Sequence, residues 1–285
     1  MPESTTGIPP DIAADQGAGD AGKAVEKPHL SASALGAYLM CPRKWRFRYI
    51  DKIKGPVGSN LIFGNAFHTM AEFANRFKME NDGALPEYQA TLEAFREDLH
   101  GRLNGKDEIQ FADGHTPEGL FELGESMTEV YYGEILPTTK PIAVEQMFRV
   151  SIGDDFPYEL LGYIDMVEEG NILVDLKTAG KRWAESKPDK EIQATLYFLA
   201  WFIETGQMPH EMRYDIVTKG GKRSSPAIQQ LTTTRTEKEI RWFLRMVEEI
   251  VHGIVNKCFP PNNTGFLCSE KWCEYFALCQ QEGCD

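Results

Sequence analysis

Two carboxylates and an amine, Asp165, Asp175 and Lys177, lie in a stretch whose pattern brings them together. The apolar, β-branched runs 160–167 and 172–176 flank Glu169-Gly170-Asn171, and Gly and Asn supply the turn conformations of a hairpin. If residue 168 pairs with 172 across that three-residue loop, Asp165 falls opposite Asp175 on one face of the sheet. The two-residue strand period adds Lys177 to the same face. Like charges this close repel, so the arrangement calls for a divalent cation between them. The plain alternative is a set of polar residues on the solvated face of an edge hairpin. The apolar flanks, the matched register and the accompanying lysine weigh against it.

Other elements must deliver the remaining chemistry. Ser31 or Ser33 can cap a helix ending at Cys41, and Pro42 opens the next helix where its missing donor does no harm. A helix from Phe63 toward Phe77 places Gly64 and His68 on one face, with the glycine letting a backbone or a phosphate come close beside the imidazole. Helices are predicted over 88–103 and 117–136, a cap or insertion within 85–140. A strand over 142–150 carries Glu145, read first as an edge-strand surface charge and second as a further metal-site acid. The helix over 191–204 puts Gln193 and Tyr197 on one face, able to hold Lys177 or a nucleic-acid strand. Strands over 212–218 and 228–233 flank the basic loop 219–223, and a helix over 236–257 ends before Pro260. That loop lacks the spacing of an NTP-binding P-loop, and no such motif occurs elsewhere, so no motor is predicted.

The composition bounds the class. With 285 residues and 42% hydrophobic content the chain can build a real core, while residues 1–28, rich in Gly, Ala, Pro and Asp, read as a disordered tail. With no apolar run of spanning length and no signal-like start, a soluble, cytoplasmic protein is expected, with no membrane partner. A net charge of -13 argues against coating nucleic acid by charge alone. Yet Arg43, Lys44, Arg46 and Arg48 alternate with Trp45, Phe47 and Tyr49, which suits either a restricted nucleic-acid path or the solvated face of an amphipathic helix.

Cys268, Cys273 and Cys279 crowd the segment 258–285, at spacings that suit thiolate ligation. Cys41 is the natural fourth ligand, with Cys258 or Cys284 as substitutes, and either zinc or an iron-sulfur cluster fits such a set. Either would staple segments more than two hundred residues apart.

An ordered set of short motifs spans roughly residues 30–280: the segment 30–35 with Tyr38, Cys41, Pro42 and Tyr49; Gly64-x3-His68; Gly162-x2-Asp165; Asp175-Leu176-Lys177-Thr178; Gln193-x3-Tyr197; and the terminal cysteines. This set resembles the RecB-type nucleases of the PD-(D/E)XK superfamily, and more narrowly the branch with a 4Fe-4S cluster. That branch includes the AddB nuclease domain, CRISPR adaptation nucleases and phage exonucleases. Two departures stand out: the acid before Leu176-Lys177 is Asp175 rather than Glu, an accepted variant in the superfamily, and the gap from Cys268 to Cys273 exceeds the commonest two-residue gap.

The resemblance implies an α/β restriction-endonuclease-like α/β/α core over 29–285, with a central mixed sheet, helices on both sides and the metal site at the sheet edge. His68, Asp165, Asp175 and the Leu176 carbonyl would hold one or two Mg or Mn ions. Lys177 would orient water and stabilise developing charge, Gln193 and Tyr197 would position it, and Cys41, Cys268, Cys273 and Cys279 would hold the 4Fe-4S cluster. Arg43, Lys44, Arg46 and Arg48 would line the DNA path. The implied activity is metal-dependent cleavage of single-stranded DNA or DNA ends that leaves 5′-phosphates, alone or with a helicase, recombinase or integrase. The competing class is a catalytically silent DNA-binding or assembly module of the same fold, and the zinc-stapled nuclease is a third.

Overall fold

Residues 27–221, 224–265 and 267–282 are described by the computed structural model of the chain. Residues 1–26 of the expected tail, Lys222, Arg223 and Cys284 lie outside them. The chain divides into two units, one formed by the chain up to Lys54, Arg149–Gly162 and the chain from Lys238, the other by Gly55–Phe148 and Tyr163–Glu237.

The larger unit is built on a mixed sheet. Strands β4 (Pro141–Ser151) and β5 (Glu159–Glu168) each run through both units, and β4 pairs with β5. From β5 the order continues to β6 (Ile172–Ala179), β7 (Glu211–Thr218) and β8 (Ala227–Thr233). The hairpin forms in the register its turn residues dictate: Glu168 pairs with Ile172, and Gly170 and Asn171 take left-handed backbone at φ 84° and 60°. The β5–β6 pairs run out to Met166↔Val174 and stop one short of the two acids. Strands β6 and β7 pair in parallel from Ile172↔Glu211 to Ala179↔Thr218. Their crossover carries α6 (Ile192–Thr205), closed by Gly206 at φ 72°.

Helix α3 (Ser59–Glu80) buries Phe63, Phe67, Met70 and Ala74 at three- and four-residue spacing. Against them pack α4 (Tyr88–Leu103) and α5 (Pro117–Val130), with the Phe95 ring edge-on to Phe63 at 5.5 Å between centroids. A methyl added at Gly64 would meet Thr178 Oγ1 of β6 at 3.5 Å, so the glycine brings α3 close to the strand that carries Lys177. A short parallel pair, β2 (Val57–Gly58) with β3 (Ile109–Gln110), completes the unit.

In the smaller unit, β1 (His29–Leu30) pairs in parallel with Glu159–Leu160. Ser31 caps α1 (Ala32–Met40) by accepting the Ala34 N–H at 3.2 Å, and Pro42 opens α2 (Pro42–Tyr49). Tyr38, Trp45 and Phe259 pack ring on ring after α7 (Glu237–Val255) ends, and the chain closes with α8 (Phe276–Glu282). Among the described residues no helix is long and apolar enough to cross a membrane.

Gly124 is where packing tolerates least: a Cβ there would lie 1.9 Å from the Phe95 ring. Gly124→Ala is therefore expected to cost about 1–3 kcal/mol of stability through overpacking. A thermal melt reads it, and an unchanged midpoint would mean that α4 and α5 do not share this core.

Candidate active site

Asp165 is where the strands and the helix meet. Its Oδ2 accepts the Leu176 N–H at 2.8 Å, just where the β5–β6 ladder ends, and lies 3.3 Å from His68 Nδ1. Burial opposes its charge, but the His68 imidazole, Lys177 and the Leu176 amide outweigh it and hold the carboxyl below the usual range. His68 shows the reciprocal effect: burial lowers its basicity, while Asp165 and Asp175 raise it further.

Asp175 is only 1% exposed and is held from two sides. Gln193 Nε2 donates to its Oδ1 at 2.8 Å and also to Tyr197 Oη at 2.7 Å, and Tyr197 in turn donates to the Tyr163 carbonyl at 2.5 Å. Gln193 and Tyr197 thus brace Asp175 rather than Lys177, because their α6 face lies against the carboxylate. Lys177 Nζ stands 2.6 Å from Asp175 Oδ2, an ion pair at an angle that leaves that buried oxygen without a well-formed hydrogen bond. Desolvation pushes Asp175 up to about 6 despite Lys177. Burial works against the Lys177 charge too, but Asp175 and Asp165 raise its pKa overall. At neutral pH Lys177 is an ammonium and a donor.

The acids sit where cations belong. His68, Glu145 and Asp165 bring one ligand atom each within 4.8 Å of one another. They line a cavity of about 20 Å³ together with Glu72, Asp215 and Leu176. Asp175 lies outside that trio, although its charge is felt at His68. Imidazole and carboxylate donors around a small, partly buried volume suit a hard divalent cation.

Glu145 is the residue that sequence reasoning undervalued. It does sit on β4, which among the described residues pairs only with β5, but its backbone is left-handed at φ 52°, uncommon for any residue with a side chain and costly in mid-strand. Such a local break re-aims a side chain, here into the cavity. Burial, then Asp165 and Glu72, push its carboxyl up to about 7. The available signal was a lone acid inside an apolar strand. The expected location at the sheet edge needs correction in the same sense: β5 and β6 are interior strands, and only Glu145 comes from an edge strand.

The basic segment is already engaged. Arg43 reaches the Phe259 carbonyl and Glu282, Lys44 pairs with Glu274 at 2.7 Å, Arg46 pairs with Asp51 and Glu282, and Arg48 lies over Tyr49. Arg43 and Lys44 line a second cavity, of about 290 Å³, in the smaller unit. Cys41, Cys268, Cys273 and Cys279 line it as well; Cys258 is exposed and does not. Among the described residues no three cysteine sulfurs come within 4.8 Å of one another.

The sequence matches the PD-(D/E)XK nuclease superfamily over residues 29–280. Among solved structures, a Eubacterium rectale protein described as a candidate exonuclease superposes with a TM-score of 0.53 at 15% identity, covering 85% of this chain and 87% of its own. At that identity the likeness is one of fold. SSO0001 overlaps at a TM-score of 0.34 and 12% identity, over 80% of this chain and 87% of its own, too loosely to bear on the chemistry. The comparison with curated proteins gives no match.

Glu145 makes a pH signature. A carboxyl whose folded pKa lies near 7, above its unfolded value, leaves the folded state holding more protons between roughly pH 4.5 and 7, so its contribution to stability falls as pH rises through that window. In chelator, wild type is expected to lose thermal stability relative to Glu145→Gln across that window. Parallel curves for the two proteins would place Glu145 in solvent.

Proposed function

The chain belongs to the PD-(D/E)XK nuclease superfamily, and from that premise we propose that it is a metal-dependent deoxyribonuclease of the RecB type. Its substrate is single-stranded DNA or DNA ends, cut by exonucleolytic hydrolysis in recombination, repair, or phage or CRISPR DNA processing. The observation that carries this reading is the Lys177–Asp175 pair beside the His68, Glu145 and Asp165 trio. Buried ion pairs also serve structure alone, as between Arg213 and Glu168, so it is the His68, Glu145 and Asp165 trio beside this pair that a silent module has no use for. The Eubacterium rectale fold neighbour, described as a candidate exonuclease, favours the exonucleolytic form.

His68, Asp165, Glu145 and Asp175 would hold one or two Mg or Mn ions, with the Leu176 carbonyl as a further donor. A bound divalent cation supplies charge neutralisation at the phosphoryl oxygens and lowers the pKa of water. Lys177 donates hydrogen bonds to the attacking water and to the developing negative charge. Asp175 fixes the Lys177 ammonium, and Gln193 and Tyr197 fix Asp175. Water attacks phosphorus in line and gives up a proton to solvent, the bond to the 3′ oxygen breaks, that oxygen takes up a proton from solvent, and a 5′-phosphate remains. Lys177→Ala is expected to lower cleavage of end-labelled single-stranded DNA in Mg or Mn by at least a hundredfold, with the fold intact by circular dichroism. Wild-type rates in that variant would sink the assignment.

Cys41, Cys268, Cys273 and Cys279 are proposed to hold a 4Fe-4S cluster. What supports it is their convergence on one cavity. At the cavity wall Lys44 favours the thiolate of Cys273 and Arg43 that of Cys279, each while also paired with an acid. Anaerobically purified protein is expected to be brown with about four irons per chain. In Cys273→Ser colour and thermal stability should fall together. Colourless protein carrying one zinc would contradict the cluster.

A further inference from the structure

The strand that carries Lys177 leads into a segment with no part in the chemistry described so far. After β6 the chain runs Gly180-Lys181-Arg182-Trp183, and Trp183 is fixed on several sides. The buried Gln229 side chain of β8 clamps its backbone, accepting the Trp183 N–H at 2.8 Å and donating to the Trp183 carbonyl at 3.0 Å. The Trp183 ring packs on Tyr214 at 5.3 Å between centroids, and Lys187 Nζ sits 4.1 Å over it. An amide that satisfies both polar groups of one residue does for it what a neighbouring strand would. The loop is built to stay put.

What it holds out is charge. Lys181 and Arg182 are exposed, and among the described residues neither pairs with a carboxylate; Arg182 makes one long contact, 3.4 Å, to the Ile228 carbonyl. This sets them apart from Arg43, Lys44 and Arg46, each of which is neutralised by an acid. In a chain with a net charge of -13, contact with a polyanion depends on such unneutralised cations. Lys181 follows Lys177 by four residues, so its backbone lies at most ~14 Å from that of the lysine. Phosphates on one strand repeat about every 3.4 Å of duplex rise, which puts the neighbours of a phosphate at Lys177 within range.

Resting on the nuclease reading, we propose that Lys181 and Arg182, presented by the Gln229–Trp183 clamp, bind the phosphodiester backbone a few nucleotides from the scissile bond. They position the strand and take no part in the bond-breaking step.

The test is binding of a labelled single-stranded oligonucleotide in calcium across a salt series, run beside cleavage in Mg or Mn. Two lost phosphate contacts should reduce the slope of log Kd against log salt by about 1.4 in Lys181→Ala/Arg182→Ala. The charge-keeping exchange Lys181→Arg/Arg182→Lys should retain the wild-type slope. For the alanine pair, KM on a long strand should rise with kcat unchanged. If wild type binds and cleaves while the alanine pair keeps its slope, the clamp proposal is overturned and the nuclease reading stands. If the slope drops as expected but wild type does not cleave in any metal, the reverse holds. Absence of binding by wild type overturns the clamp.

Discussion

The site depends on one carboxylate doing the work of a ladder bond. Asp165 takes the Leu176 amide at the point where β5 and β6 stop pairing, and so ties the hairpin together one residue away from Asp175. The same oxygen faces His68 from α3. A helix and two strands are therefore registered on a single negative charge, and acids crowd near it against their electrostatic preference. The sheet supplies what makes that crowding tolerable: Gln193 and Tyr197 brace Asp175 from α6, and the Lys177 ammonium faces it from its own strand. Positive charge at His68 and Lys177 is favoured by the acids around them. A divalent cation would relieve the same repulsion more completely, which links the strain of the fold to the proposed chemistry.

Much of this was legible in the sequence because it is set by local rules. Gly170 and Asn171 fix the hairpin loop, the loop fixes the register, and strand period then places Asp175 and Lys177 on one face. Helical spacing placed His68 one turn after Gly64, and what lies beside that glycine is the Thr178 side chain at ordinary contact distance rather than a backbone or a phosphate. What escaped were features decided by tertiary packing. Glu145 turns into the cavity through a left-handed residue in mid-strand, which no periodicity announces. Gln193 and Tyr197 were correctly paired by their four-residue spacing, but which partner they meet depends on how α6 lies on the sheet. The basic helix α2 has the composition of a DNA path, yet its partners Glu274 and Glu282 lie more than two hundred residues away in sequence. Lys181 and Arg182, two residues in an unremarkable loop, gain interest only from the clamp that holds Trp183.

The smaller unit shows how distant segments come to share one cavity. Tyr38 on α1 donates to the Cys258 carbonyl at 2.8 Å, and a side chain at Gly253 would collide with the Tyr38 hydroxyl, so the end of α7 lies directly on α1. Trp45 stacks on Phe259, and Tyr275 donates to the Ile53 carbonyl. These contacts draw the last residues of the chain onto α1 and α2 and bring Cys41 to the same cavity as Cys268, Cys273 and Cys279. A group bound by all four would close a very long loop, for which the chain entropy is large.

In the proposed cation site of His68, Glu145 and Asp165, Glu145 is held partly protonated near pH 7 until the cation arrives, while Asp165 is already ionised. This is tested most directly by calorimetric titration of Mn into the protein near pH 7 in buffers of different ionisation enthalpy, which counts the protons released. Saturable binding with release of up to about one proton per ion is expected, as Glu145 gives its proton up. That binding should weaken strongly in Asp165→Asn, and proton release should diminish in Glu145→Gln. Binding without proton release, or binding indifferent to both substitutions, would contradict it.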